Sequence, residues 1–313
     1  MKAKRSSAVI ETTCDSWEEF KALVHRDYVE ECMGVSMLFR GHARSEWKLA
    51  SPWDRWSGNV NSIKVDRESR VENGWLKRIL HNFKELSVGL PNIRSHDLSD
   101  VDWWAVGRHY GLKTPLLDWT RSPYVAAFFA FTGFVEDVSP GTLAGYFDPK
   151  KLLYAGLESR LVAVWGLFVD SDPEDSEKLV VSQGLAKAIE LLNPRIDIGH
   201  RQRAQRGLFT RLAHSDYYAI EEYLSALDLP EPPLRKYLIP GSEAAKAITE
   251  LRMMNITFAT LFPDLEGAAR QANFDLAAFP LMIFSMVPAS TWAGGRTDAD
   301  EVLAHNPGPQ ADG

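Results

Sequence analysis

A handful of side chains in this sequence have the types and positions to handle an anionic ligand. Arg40 closes the apolar run Val35-Ser36-Met37-Leu38-Phe39 and is followed by Gly41. A guanidinium is thereby set at a strand end where the backbone can turn sharply or approach a ligand. Asp118, Thr120 and Ser122 stand just ahead of an apolar helix that opens at Ser122-Pro123. The unpaired N–H groups and the dipole of a helix start favour a bound anion such as phosphate. His109 ends the preceding helix, beside Tyr110 and Gly111, where it could serve as acid or base. Each residue also has a plainer reading. Arg40 could pair with a carboxylate at the core edge, Asp118 and Thr120 could cap their own turn, and His109 could sit against the helix C-terminal dipole.

A second cationic stretch, Gly199-His-Arg-Gln-Arg-Ala-Gln-Arg-Gly-Leu-Phe-Thr-Arg, carries Arg201, Arg203, Arg206 and Arg211 around Gln205. It reads either as a surface strand with a charged outer face or as a strand and turn lining a polyanion cleft, where arginine's bidentate geometry suits phosphate.

The elements that must position these residues follow from capping signals and periodicity. Ser99 with Asp102 three residues on, then Trp103, Trp104, Val106 and Tyr110, predicts a capped helix stopped at Gly111. Tyr124 to Phe134 has no polar face, which predicts a helix buried on nearly every side. Helices are also predicted from Ser16, over Asp66 to Leu86, Gln183 to Leu192, Tyr217 to Leu227 and Ser242 to Met254, with another after Pro263. Strands are predicted at Ala8–Glu11, Val35–Gly41, Gly141–Phe147, Leu161–Val169 and Lys236–Pro240. Residues 42–65 read as irregular, and Asp170 to Glu177 as a solvated acidic loop.

The chain's 313 residues suffice for one large core. Its 42 acidic against 35 basic residues give −7, so the chain as a whole lacks the basic footprint of a non-specific nucleic-acid binder. Two cysteines, Cys14 and Cys32, are too few for a disulfide framework, and no run reaches membrane-spanning length. A cytoplasmic protein is expected. Walker, GxGxxG, HExxH and GxSxG patterns are absent and the eight histidines are not in metal-ligand spacing. A hydrolase built on His109 and Asp118 would lack a visible nucleophile.

Phe39-Arg40-Gly41, His109-Tyr110-Gly111-Leu112, Leu116-Leu117-Asp118-Trp119-Thr120 and Ala126-Ala127-Phe128-Phe129-Ala130 resemble the FRG-domain family. Ala204–Thr210, Asn255-Ile256-Thr257 and Leu261–Gly267 resemble that family's later motifs. The likeness covers 16–275 as an FRG-like domain, which leaves a leader over 1–15 and a C-terminal extension over 276–313, expected to be flexible from about 293 because it is rich in Gly, Pro, Asp and Ala. Two positions depart from the family pattern: Arg108 stands where a Gln is usual, and Lys113-Thr114-Pro115 replaces Pro-Thr-Arg.

The order of Arg40, then Thr120-Arg121-Ser122 before Val125-Ala126-Ala127-Phe128-Phe129-Ala130, then Gln205 is similar to that of the NAD-binding elements of ADP-ribosyltransferases. That resemblance implies an α+β single domain, a small central mixed or antiparallel sheet flanked by helices, with NAD as cofactor. On it, Arg40 and Gly41 would hold the NAD phosphates, Thr120 and Ser122 the nicotinamide ribose, and Tyr110 or a tryptophan would stack on a ring. The carboxylate would come from Glu72, Glu266 or Asp118. A toxin or effector of bacterial phage defence, with a partner antitoxin, is the setting implied. A nucleotide- or nucleic-acid-binding sensor without catalysis is the alternative.

Overall fold

A computed structural model describes residues 2–31, 36–59, 74–90, 98–138, 160–169, 178–181, 184–194, 200–212, 217–227 and 229–286. Their strands are β1 (Lys2–Arg5), β2 (Val9–Thr13), β3 (Ser36–His42), β4 (Leu116–Thr120), β5 (Leu161–Val169), β6 (Lys178–Val181), β7 (Gly184–Leu192), β8 (Gly207–Leu212) and β9 (Leu234–Pro240). The helices are α1 (Trp17–Glu31), α2 (Pro52–Asn59), α3 (Gly74–Leu86), α4 (Asp100–His109), α5 (Pro123–Val138), α6 (Arg201–Ala204), α7 (Ile220–Ser225), α8 (Ala244–Met253), α9 (Phe258–Leu261) and α10 (Leu265–Met286).

One nine-stranded sheet runs β1-β2-β9-β5-β3-β4-β8-β7-β6. It is antiparallel except for β2 with β9, so the mixed α+β class holds, while the sheet is larger than the small one expected. The extra width comes from both edges. Residues 2–13, expected to be a leader with one strand, form β1 and β2, because β2 pairs with β9 and buries Ala8 and Thr12. At the other edge, Gln183–Leu192, expected as a helix, is strand β7 from Gly184 onward. Its Ala, Leu, Lys and Glu favour helix, but Ile189 and Leu191 enter the core while Glu190 between them meets Arg211 across the ladder to β8. The period of two wins over local propensity.

The apolar run of β5 sits at the centre because both its faces are covered. Val162, Val164 and Phe168 meet the core on one side, and Ala163, Trp165 and Leu167 meet the core on the other. Helix α5 fills the first core with Val125, Ala126, Ala127, Phe128, Ala130, Phe131 and Phe134, as its missing polar face implied. It packs directly on β3. A Cβ on Gly41 would lie 1.8 Å from the Ala126 carbonyl oxygen, so this position must be glycine for helix and strand to touch.

The capping signals translate into the structure. Ser99 Oγ accepts the Asp102 N–H at 3.2 Å while the Asp102 carboxylate accepts the Ser99 N–H at 3.0 Å. Gly111, with φ +85, carries the chain out of α4. Ser51-Pro52 starts α2 within the 42–65 stretch expected to be irregular: Ser51 Oγ accepts the Asp54 N–H at 3.1 Å. Residues 66–73 of the predicted 66–86 helix lie outside the described residues, as do the predicted strand 141–147, the acidic segment 170–177 and everything from 287 on. In α3 only Leu80 is buried, and Trp75 and Leu86 are exposed. Helix α10 crosses the expected boundary at residue 276 without a break.

Candidate functional site: an arginine-lined cleft

Strands β3 and β4 share a single register pair, Phe39 with Thr120. Beyond it, where the register would pair Arg40 with Trp119 and Gly41 with Asp118, the strands part, and Arg40 Nη1 donates to the Asp118 main-chain oxygen at 2.7 Å. A cleft of about 440 Å³ opens there, within the size range of small-molecule sites. Arg40, Gly41, His109, Asp118, Thr120 and Gln205 all line it, together with Arg108, Phe129, Arg201, Phe262, Glu266 and Arg270.

The floor is an ion cluster. Arg108 reaches from the last turn of α4 and donates through Nη2 to Asp118 Oδ2 at 2.7 Å and through Nε to Oδ1 at 3.2 Å. Arg40 Nη1 approaches Oδ2 at 3.4 Å. Two guanidiniums therefore share one carboxylate. Burial raises the Asp118 carboxyl, but the Arg108 charge and hydrogen bonds, joined by Arg40, outweigh it and hold the group well below the usual carboxylate range. Burial draws the Arg40 guanidinium down to about 10, with the Asp118 charge opposing and Arg108 assisting; it stays cationic at neutral pH. Arg55, on the first turn of α2, adds a third cation near this cluster; burial and then Arg108 lower it. Among the described residues, Arg40 Nη2 and Arg108 Nη1 have no protein acceptor.

The opposite wall comes from the chain beyond β8's approach turn. Arg201 donates to Asp264 at 2.6 and 2.8 Å and to Glu266 at 2.8 Å, and lies over the Phe262 ring at 4.9 Å. Arg270 covers Phe258 at 4.4 Å and Phe262 at 5.1 Å, with Glu136 3.9 Å away. Gln205 is fixed on both sides: its Nε2 donates to the Leu261 oxygen at 3.1 Å, and its main-chain oxygen accepts from Thr120 Oγ at 2.6 Å. Burial, then the Arg201 charge, lowers His109, against weaker opposing pulls from Glu266 and Asp264, so the imidazole is neutral at pH 7.

Two expected ligand residues are elsewhere. Ser122 is the cap of α5, its Oγ accepting the Val125 N–H at 3.3 Å, and it is not among the lining residues. Tyr110 stands at the C-cap of α4, 66% exposed, its ring edge-on to His109; it too lies off the cleft because the helix ends there and turns the side chain to solvent. Thr120 lines the cleft, but its hydroxyl is spent on Gln205 and the Ser122 N–H. The basic stretch does not form one strip. Arg201 and Arg203 lie on α6, Arg206 follows with φ 48, and Arg211 on β8 is paired to Glu190. Of the two departures from the family pattern, Arg108 lies on the cleft floor, whereas Lys113 is exposed and off the cleft. Glu72 lies outside the described residues.

Sequence reasoning passed over Arg270, Arg55 and His42. Arg270 carries no local signal, being brought in by α10. His42 did carry one, since residues two apart on a strand share a face. Among the described residues no group of His, Cys, Asp and Glu could hold a metal ion, and no helix is long and apolar enough to cross a membrane.

Fold and site together define an α+β protein whose cleft opens where two central strands part. Residues 35–137, about a third of the chain, match the model of the FRG domain. That span holds Arg40, Gly41, Arg108, His109 and Asp118, whereas the wall of Arg201, Gln205, Phe262, Glu266 and Arg270 lies beyond it. No curated protein and no solved structure matches the chain.

Proposed function

We propose that the cleft binds NAD through its diphosphate and that the protein is an NAD-using enzyme of the ADP-ribosyltransferase kind. The observation that carries the reading is charge. Arg201 and Arg270 have carboxylate partners of their own, but on the floor two guanidiniums share the single carboxylate of Asp118 in a chain whose net charge is −7, and among the described residues they keep donors unspent. Buried charge without a partner is unfavourable, and a diphosphate is the complement that arginine forks accommodate. The convergence of Arg40, Thr120 and Gln205 on one cleft fits the order in which ADP-ribosyltransferases arrange their NAD-binding elements.

In this reading Arg40 and Arg108 hold the diphosphate and Gln205 orients the ribose end. Glu266, at the start of α10 and paired to one guanidinium, Arg201, would be the carboxylate that stabilises the oxocarbenium-like state as nicotinamide leaves with the bonding electrons. Asp118 is unsuited to that task because two guanidiniums already neutralise it. The setting of a toxin or effector in phage defence belongs to this proposal. Incubating the purified protein with NAD and cell extract is expected to release nicotinamide and label an acceptor; neither outcome over varied conditions would count against it.

A second reading, a non-catalytic nucleotide or nucleic-acid sensor, is favoured by the same neutralisation of the floor carboxylate. Arg203 and Arg206 would extend the cleft outward, since Arg201 and Arg211 are committed to carboxylates. Binding to RNA or DNA would then weaken steeply with salt.

A further inference from the structure

We infer that His42 is the positioning residue for Arg40, holding the guanidinium that faces the cleft through a hydrogen-bond chain that starts at the Trp47 carbonyl. What that guanidinium binds rests on the proposed reading of the cleft; how it is held does not.

Arg40 and His42 alternate with Gly41 on β3 and so project from one face of the sheet. Arg40 Nε lies 3.0 Å from His42 Nε2. A guanidinium nitrogen only donates, so His42 Nε2 is the acceptor and the imidazole proton is on Nδ1. That atom lies 3.2 Å from the Trp47 oxygen, an acceptor. Both ring nitrogens are thus assigned by their partners, and the tautomer is fixed without appeal to any ligand.

The ring itself cannot turn easily. His42 is 3% exposed, with Trp47 at 6.1 Å and Trp165 at 6.5 Å, both edge-on. The charges that act on it most are cations: Arg40 from its own strand, Arg55 from α2 and Lys236 from β9. Burial, reinforced by Arg40, keeps the imidazole neutral well below the ordinary histidine range, which preserves the acceptor Arg40 needs.

With Nε held by His42 and Nη1 by the Asp118 main-chain oxygen, two edges of the fork are pinned and Nη2 has no acceptor among the described residues. An arginine side chain carries large rotamer freedom. Fixing it before a ligand arrives removes an ordering cost from binding. This is a role for a buried histidine beyond packing.

The test uses the whole chain as wild type, His42→Gln and His42→Phe, with Arg40→Lys to assign the resonance. Glutamine can accept through Oε1 and donate through Nε2; phenylalanine fills the space and can do neither. The readouts are protection of the Arg40 Nε–H from solvent exchange by nitrogen-15 NMR and titration with ADP-ribose. Expected are a protected Nε–H in wild type and His42→Gln, loss of protection in His42→Phe, and ADP-ribose affinity about tenfold weaker in His42→Phe only. Unchanged protection in His42→Phe overturns the inference. If that variant does not fold, the wild-type imidazole decides alone: an Nδ1–H tautomer supports it, and an Nε2–H tautomer overturns it. Should wild type ignore ADP-ribose while protection still depends on His42, the reading of the cleft fails and the positioning stands.

Discussion

Asp118 is the hinge of the electrostatics at the residue scale. It holds Arg40 by main chain and side chain and Arg108 by both carboxylate oxygens. Arg108 is therefore the most direct handle on ligand affinity. Arg108→Gln keeps a donor for Asp118 and removes one cation, so ADP-ribose binding is expected to weaken about tenfold with little change in the thermal midpoint, read by calorimetry and by thermal melting. Arg40, Gly41, His109, Asp118, Thr120 and Gln205 were legible from residue type beside a glycine, a helix end or a helix start, and all six line the cleft, although Arg40 and Asp118 lie within β3 and β4 rather than at a strand end or in a loop. Ser122 was visible for the same reason, yet its signal was only that of a cap. Arg270 was not legible, since nothing local distinguishes an arginine on α10 until the fold lays it over Phe262.

At the scale of elements, the contact of α5 with β3 brings Ala126 and Phe129 to the cleft beside Gly41. Gly41→Ala would force a Cβ against the Ala126 carbonyl, and such overpacking against backbone is expected to lower stability by about 3 kcal/mol, measured by denaturant unfolding. Ser99→Ala removes one half of the α4 capping box and is expected to lower it by about 1 kcal/mol. A melt of either variant indistinguishable from wild type would contradict these assignments. Helices were legible where a serine preceded proline or an acid, as at Ser99, Ser122 and, had it been weighed alike, Ser51. β7 was not, because Ala, Lys, Leu and Glu point to helix and only pairing with β8 makes Ile189 and Leu191 face inward together.

For the molecule as a whole, the buried groups set how stability depends on pH. His42 and His109 have folded values below the ordinary 6.5, so their contribution is complete above about 6.5 and declines as pH falls below it. Asp118 is likewise depressed; its contribution is complete above about 3.9 and fades only as pH drops further. Denaturation midpoints are expected to be flat from pH 8 to 7 and to fall on acidification, with His42→Gln flattening the slope just below pH 6.5. A His42→Gln variant whose midpoint falls as steeply as that of wild type just below pH 6.5 would contradict the His42 assignment. The cleft itself is a product of the whole chain, since its floor belongs to the FRG domain and its far wall does not.

The most direct measurement is calorimetric titration of NAD into wild type and Arg40→Ala at moderate salt. Saturable binding at one site, weakened at least tenfold or abolished by Arg40→Ala, is the expected result. No heat of binding to wild type, or binding that Arg40→Ala leaves unchanged, would contradict the assignment of the cleft as an NAD site.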